Sequence, residues 1–288
     1  MYLKKYNTPL VVFLFILTCV NAQIKDTKEV SVTSAQKTLG VSVSPAHFHL
    51  TQKQGQTKVY NITINNDTPS PKSFGVKMSD FNMDGKGQSS FLQAGTGKYS
   101  LSKWTSISPT FIQLKPFEKR KVAITVAVPN NASGAKAAWS IIMIEQQEER
   151  KTLSPDNKSD NTVALGVVPT FAFGIFVYQN PPNVASNDVQ FIDFIYDEDQ
   201  TKRTISIVAE NKGDGISYCT SYIDLTNLKT GDQQRLKVKK FTILPDLIRD
   251  FVFPIPEDLP KGDYIAVGVL DFENSEEIQA AKMELTIN

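Results

Sequence analysis

Thr162 to Tyr178 reads TVALGVVPTFAFGIFVY, and the alternation in this stretch decides the fold class. Every odd position is apolar: Val163, Leu165, Val167, Pro169, Phe171, Phe173, Ile175 and Val177. Most even positions are small, namely Ala164, Gly166, Thr170, Ala172 and Gly174; Val168, Phe176 and Tyr178 are the exceptions. A period of two predicts a β-strand whose bulky side chains leave from one face. At about 3.3 Å per residue such a strand would run roughly 50 Å. Pro169 cannot donate a ladder hydrogen bond, so it predicts an edge strand or a bulge at the middle. Edges are normally blunted by charge, and this stretch carries none. Two readings follow. The strand is covered by the protein's own second sheet, or it is partly lent to another polypeptide by β-augmentation, with alternate side chains filling the partner's pockets. Each reading can hold for one half of the strand.

Outward from this stretch the chain is a series of short alternating runs separated by turn residues, which predicts an all-β sandwich architecture. Towards the N-terminus, strands are predicted at Gly40–Leu50, Lys58–Asn66, Ser73–Phe81, Trp104–Leu114, Lys121–Val128 and Ala137–Glu145, with a long Gly/Ser-rich loop from Asn82 to Ser100. With the strand at Thr162–Tyr178 they make seven, the count of an immunoglobulin-type sandwich. Towards the C-terminus, Gln179-Asn180-Pro181-Pro182-Asn183 is a stiff linker. Beyond it, strands are predicted at Val189–Tyr196, Thr204–Glu210, Ile216–Leu225, Arg235–Lys240, Ile248–Ile255, Tyr264–Phe272 and Ile278–Ile287. Tyr264 opens its strand after Leu259-Pro260-Lys261-Gly262-Asp263, the place of a structural tyrosine corner. The predicted organisation is two immunoglobulin-like β-sandwich domains in tandem, at residues 40–180 and 184–288, joined by a hinge at 181–183.

The beginning of the chain is of another kind. Met1-Tyr2-Leu3-Lys4-Lys5, the apolar run Pro9 to Val20 and then Asn21-Ala22 predict a secretory signal peptide over residues 1–22. The run is too short to span a bilayer. Lipidation would modify Cys19, but Leu17 and Thr18 suit such a signal poorly, so cleavage after Ala22 is expected. Residues 23–39 are polar and aperiodic and read as a flexible arm. No later stretch has the length and apolarity of a membrane helix, so the mature chain is expected to be exported and soluble. Without Lys4 and Lys5 the chain has 29 basic and 30 acidic residues, a balance that gives no reason to expect a nucleic-acid partner. Cys219 is then its one cysteine, expected to be a buried thiol.

Several of these residues together resemble the periplasmic pilus-assembly chaperones of the PapD-like type. The likeness is carried by Val43-Ser44-Pro45, the strand end Asn65-Asn66, and Trp104…Pro109…Phe111…Leu114…Pro116. Val126…Val128-Pro129 and the run Phe173-Gly174-Ile175-Phe176-Val177-Tyr178 ahead of Pro181 complete it. The resemblance covers about Gly40 to Pro182. It implies a non-catalytic protein that shields an exported fimbrial or surface subunit by β-strand donation, with Val167, Phe171, Phe173, Ile175 and Val177 as the client-binding strand. The family's basic pair would fall on His47 and near Gly174 or Ile175; only His47 can serve as an anchor, and a half-protonated imidazole is a weaker carboxylate partner than a guanidinium. A second stretch, Lys98-Tyr99-Ser100-Leu101-Ser102-Lys103-Trp104…Leu114-Lys115-Pro116-Phe117-Glu118…Val128-Pro129…Gly134, is similar to the peptidoglycan-binding domain of WxL-interacting envelope proteins. That likeness implies a structural envelope protein in contact with peptidoglycan or a surface protein.

The residues offer little for catalysis or cofactors. His47 and His49 are the only histidines, and the sequence has no G-x-S-x-G elbow, so no enzyme activity is expected. Two imidazoles without a nearby acid or thiol make a poor zinc site. Asp80-Phe81-Asn82-Met83-Asp84-Gly85 matches the first half of a calcium loop, but Phe91 stands where the closing Glu belongs. A plain turn is expected there, with no metal and no cofactor.

Overall fold

A computed structural model describes residues 40–147, 170–184, 188–199, 202–272 and 278–287. The predicted signal peptide, the arm, Cys19, Pro169 and Val167 lie outside the described residues. What is described is all-β, in two sandwiches.

The first sandwich contains ten strands. They are β1 (Val41–Ser44), β2 (His47–Leu50), β3 (Thr57–Asn66), β4 (Lys72–Met83), β5 (Ser89–Leu92), β6 (Thr105–Ser108), β7 (Phe111–Leu114), β8 (Lys119–Ala127), β9 (Ala138–Gln147) and β10 (Ala172–Gln179). One sheet has the order β1-β3-β8-β6; the other has β2-β10-β9-β4-β5, with β7 also on β4. Two predicted strands are therefore each divided between the sheets. Gly40–Leu50 breaks at Pro45 and Trp104–Leu114 at Pro109, because a residue without an N–H cannot continue the ladder. The predicted loop after Asn82 contains β5, which pairs Ser89–Leu92 with Asp80–Met83. Its short, half-polar pattern lacks the alternation that marks a strand. Between the sheets lies an apolar core that includes Ile62, Phe74, Leu101, Ile124, Ile142, Ile175 and Val177.

The second sandwich contains β11 (Val189–Glu198), β12 (Arg203–Asn211), β13 (Ser217–Asn227), β14 (Gln233–Arg235), β15 (Lys239–Ile243), β16 (Ile248–Pro254), β17 (Gly262–Phe272) and β18 (Gln279–Ile287). Its sheets are β11-β12-β16 and β14-β13-β17-β18, with β15 also on β13. The single strand predicted over Arg235–Lys240 is in fact two strands, because Leu236 turns into the core. Cys219 is buried in β13. The Tyr264 hydroxyl donates to the Pro260 carbonyl at 2.7 Å, closing the expected tyrosine corner.

A third apolar cluster joins the two sandwiches. Phe81, Trp139, Ile141 and Tyr178 come from the first, Ile216 and Leu244 from the second. These four residues of the first sandwich sit on the outer face of its sheet, the face that the alternation alone assigns to water. Polar contacts ring the cluster. Asn180 exchanges two side-chain hydrogen bonds with the Ile216 backbone at 3.0 and 3.1 Å. Lys98 and the Tyr99 hydroxyl both reach Asp246, at 2.5 and 2.6 Å. The Asp250 amide donates to the Gly85 carbonyl at 2.8 Å.

Candidate functional site

The strand singled out by the sequence is placed between two neighbours of unequal length. β10 pairs with β9 along its whole described course, from Ala172↔Glu145 to Gln179↔Ala138. On its other side β2 runs parallel, but only from Phe176↔His47 to Gln179↔Leu50. Half of the described strand is therefore closed on this side, for a simple reason. After Pro45 the first strand crosses to this sheet and supplies four residues, enough to cover Phe176–Gln179. Over Ala172–Ile175 no described strand pairs with the second side of β10.

Exposure changes steadily along the apolar face of this strand. Val177 and Ile175 are each 1% exposed and belong to the first sandwich's core. Phe173 is half-buried against that core, and Phe171 is 42% exposed. Phe171 stands at the open end of the sandwich, with ring centroids 6.2 Å from Phe74 and 5.4 Å from Phe173. The opposite face behaves differently: Phe176 and Tyr178 turn towards the second sandwich and join the junction cluster. Of the five side chains assigned to a client, Ile175 and Val177 are already used by the protein's own core. Phe171 and Phe173 remain at the open end.

His47 stands level with Phe176, at the point where the second neighbour of β10 ends. It is exposed, and its ring centroid is 4.8 Å from that of His49. His49 stacks on Tyr178 and its Nδ1 lies 2.6 Å from the Tyr218 hydroxyl, so this imidazole bridges the two sandwiches. No group of three or more acidic, thiol or imidazole ligands occurs among the described residues.

The calcium-like stretch is divided by the strand parity. Asp84 Oδ1 accepts from the Lys86 and Gln88 amides at 2.9 and 2.8 Å, holding the β4–β5 turn. Asp80 points inward and is 1% exposed. It accepts hydrogen bonds from the Ser100, Ser102 and Ser140 hydroxyls at 3.0, 2.5 and 2.8 Å and from the Gly97 amide at 2.9 Å. Burial pushes this carboxyl up, but the bonds from Ser102, Gly97, Ser140 and Ser100 outweigh it and hold the group below its ordinary value. The network ties residues 97–102 to β9, and Tyr99 then stacks on Trp139 with centroids 4.5 Å apart. Within the Lys98–Trp104 stretch, Ser100 and Ser102 are thereby tied to Asp80 and Tyr99 to Trp139, while Lys98 and Lys103 remain exposed.

The sequence reading missed both the Asp80 network and the junction cluster. Both left a trace in parity. Asp80 continues the inward positions of Phe74, Val76 and Met78, while Phe176 and Tyr178 are bulky where most even positions are small.

No protein-family model and no curated protein matches the chain. Solved structures similar to it include fimbrial chaperones. A chain from a chaperone–tip adhesin complex of CFA/I fimbriae aligns with TM-score 0.46 and 11% identity over 85% of this chain and 98% of its own. The class 5 fimbriae chaperone CfaA aligns with TM-score 0.45 at 11% identity over the same shares. The Escherichia coli chaperone DraB aligns with TM-score 0.41 and 12% identity, again over 85% and 98%. The likeness is one of fold, and at such identities it assigns no residue a role. No helix among the described residues is long and apolar enough to cross a membrane.

Proposed function

We propose that this chain is a non-catalytic, exported, chaperone-like binding protein that takes an extended segment of a client subunit along Ala172–Ile175. One observation carries the reading: β10 is paired on both sides over Phe176–Gln179 and, among the described residues, on one side only over Ala172–Ile175. A half-paired strand presents a row of main-chain donors and acceptors, and a guest strand satisfies them. Beside that row the apolar face runs out of cover, so Phe171 and Phe173 offer contact area to the guest. The junction cluster supports the reading by stiffening the base from which the open half-strand projects. His47, at the lip of the opening, is the nearest residue of β2 to the guest and a candidate partner for its carboxylate. Val167 lies on the same predicted face, outside the described residues.

The test uses a variant that the fold tolerates. Phe171→Asp places a charge on an exposed ring position and is expected to keep the melting temperature within a few degrees. The client that co-purifies with the protein from its native envelope is expected to fall at least tenfold. Full client occupancy on a folded Phe171→Asp protein would refute the proposal.

A further inference from the structure

A second candidate site lies at the seam between the sheets of the other sandwich, where the β4–β5 turn of the first meets it. β15 and β16 belong to different sheets, and among the described residues each pairs on one side only. Their other edges face each other. The Phe241 and Phe251 rings stack across the gap, Lys239 Nζ donates to the Val252 carbonyl, and Arg249 Nη1 donates to the Thr242 carbonyl at 2.9 Å. The gap opens into a cavity of about 380 Å³.

Charge at this cavity is unbalanced. Lys86, Lys239, Lys240 and Arg249 line it with one carboxylate, Asp250, a formal excess of three positive charges. None of the four cations forms an ion pair with a described carboxylate. Arg249 is the telling member. It is 9% exposed, its Nε is buried without a hydrogen-bond partner, and Asp84 acts on it only through space. A buried guanidinium without a carboxylate is costly unless other groups compensate it. The described chain compensates it only in part, through the Thr242 carbonyl and Met83 Sδ at Nη1 and the Phe251 ring 5.0 Å from the guanidinium carbon, and leaves Nε unbonded.

We propose that this seam binds a phosphate-bearing small molecule. Arg249 and Lys240 hold the phosphate, Lys86 and Lys239 add to the field, and the Phe241 ring takes an adjoining sugar or apolar group. A dianion suits the excess charge better than a single carboxylate. Its tetrahedral oxygens also accept from cations on separate elements, where a planar carboxylate is served best by one guanidinium fork. Arg249 has already committed Nη1 to Thr242, which removes the end-on fork. The site is independent of the client reading, and Phe171→Asp is expected to leave it unchanged.

The experiment is calorimetric titration of the mature chain at fixed ionic strength with inorganic phosphate, a hexose phosphate and acetate. A parallel arm measures sedimentation with phosphatidic acid vesicles against phosphatidylcholine vesicles. The key variant combines Lys86→Gln with Lys240→Gln, two exposed positions, so folding is kept and checked by thermal melting. Arg249→Lys provides the buried comparison. Saturable binding of the soluble phosphates, weakened at least tenfold in the double variant and weaker still for acetate, is the expected result. Binding confined to phosphatidic acid vesicles and lost in the same variant supports the site and assigns the phosphate to a lipid headgroup. Absence of saturable binding to every probe, equal binding of acetate, or unchanged affinity in the double variant would overturn it.

Discussion

Asp80→Ala is expected to lower the unfolding free energy by about 3 kcal/mol, read from urea denaturation, although the residue is remote from the open half-strand. The carboxylate is 1% exposed and receives three hydroxyls and one amide. Its removal leaves those donors in a space too dry to replace the bonds they lose. Asp80→Asn keeps the shape and removes the charge, so its loss is expected to be smaller, about 1–2 kcal/mol. The pH dependence has a definite sign. The folded carboxyl titrates below its ordinary value of 3.8. Its contribution is therefore complete above that pH and disappears as pH falls through the lowered folded value. Wild type should lose stability faster than Asp80→Asn below about pH 4, and parallel curves for the two proteins would contradict the assignment. The consequence extends to the junction, because the segment held by Asp80 carries Lys98 and Tyr99 to Asp246.

Ile175→Ala is expected to cost about 3 kcal/mol, and Ile175→Asp to abolish the cooperative transition of the first sandwich. Both follow from the placement of Ile175 in that sandwich's own core at 1% exposure. The alternation in Thr162–Tyr178 alone makes Ile175 and Phe171 equivalent; the structure separates them. Thermal melting followed by circular dichroism distinguishes the cases. An Ile175→Asp protein that melts like wild type would mean that this side chain is available to a partner after all. Loss of client in that variant carries no information about the binding site, because folding is lost with it.

How far the sequence could be read depends on what each pattern encodes. Period-two alternation encodes a face, and the two faces of β10 were legible residue by residue. It does not encode what covers a face. Phe81, Trp139 and Tyr178 are buried on the outer side because a second sandwich rests there, a long-range event that no local window contains. The closure of Phe176–Gln179 was hidden for a related reason. It depends on four residues more than a hundred positions upstream, after Pro45 sends the chain from one sheet to the other. Arg249 is the most instructive case. Its place in the series Arg249, Phe251, Phe253 puts it on the inward side of β16, so a buried cation could have been read from parity. That no carboxylate meets it could not.

The central claim concerns four residues, and amide hydrogen exchange tests it most directly. Exchange is compared for the protein alone and for the protein purified with its client. The expected result is that exchange over Ala172–Ile175 slows at least tenfold when the client is bound, while Phe176–Gln179, already paired on both sides, is unchanged. Equal exchange over Ala172–Ile175 in the two samples would contradict the claim that this half-strand receives another chain.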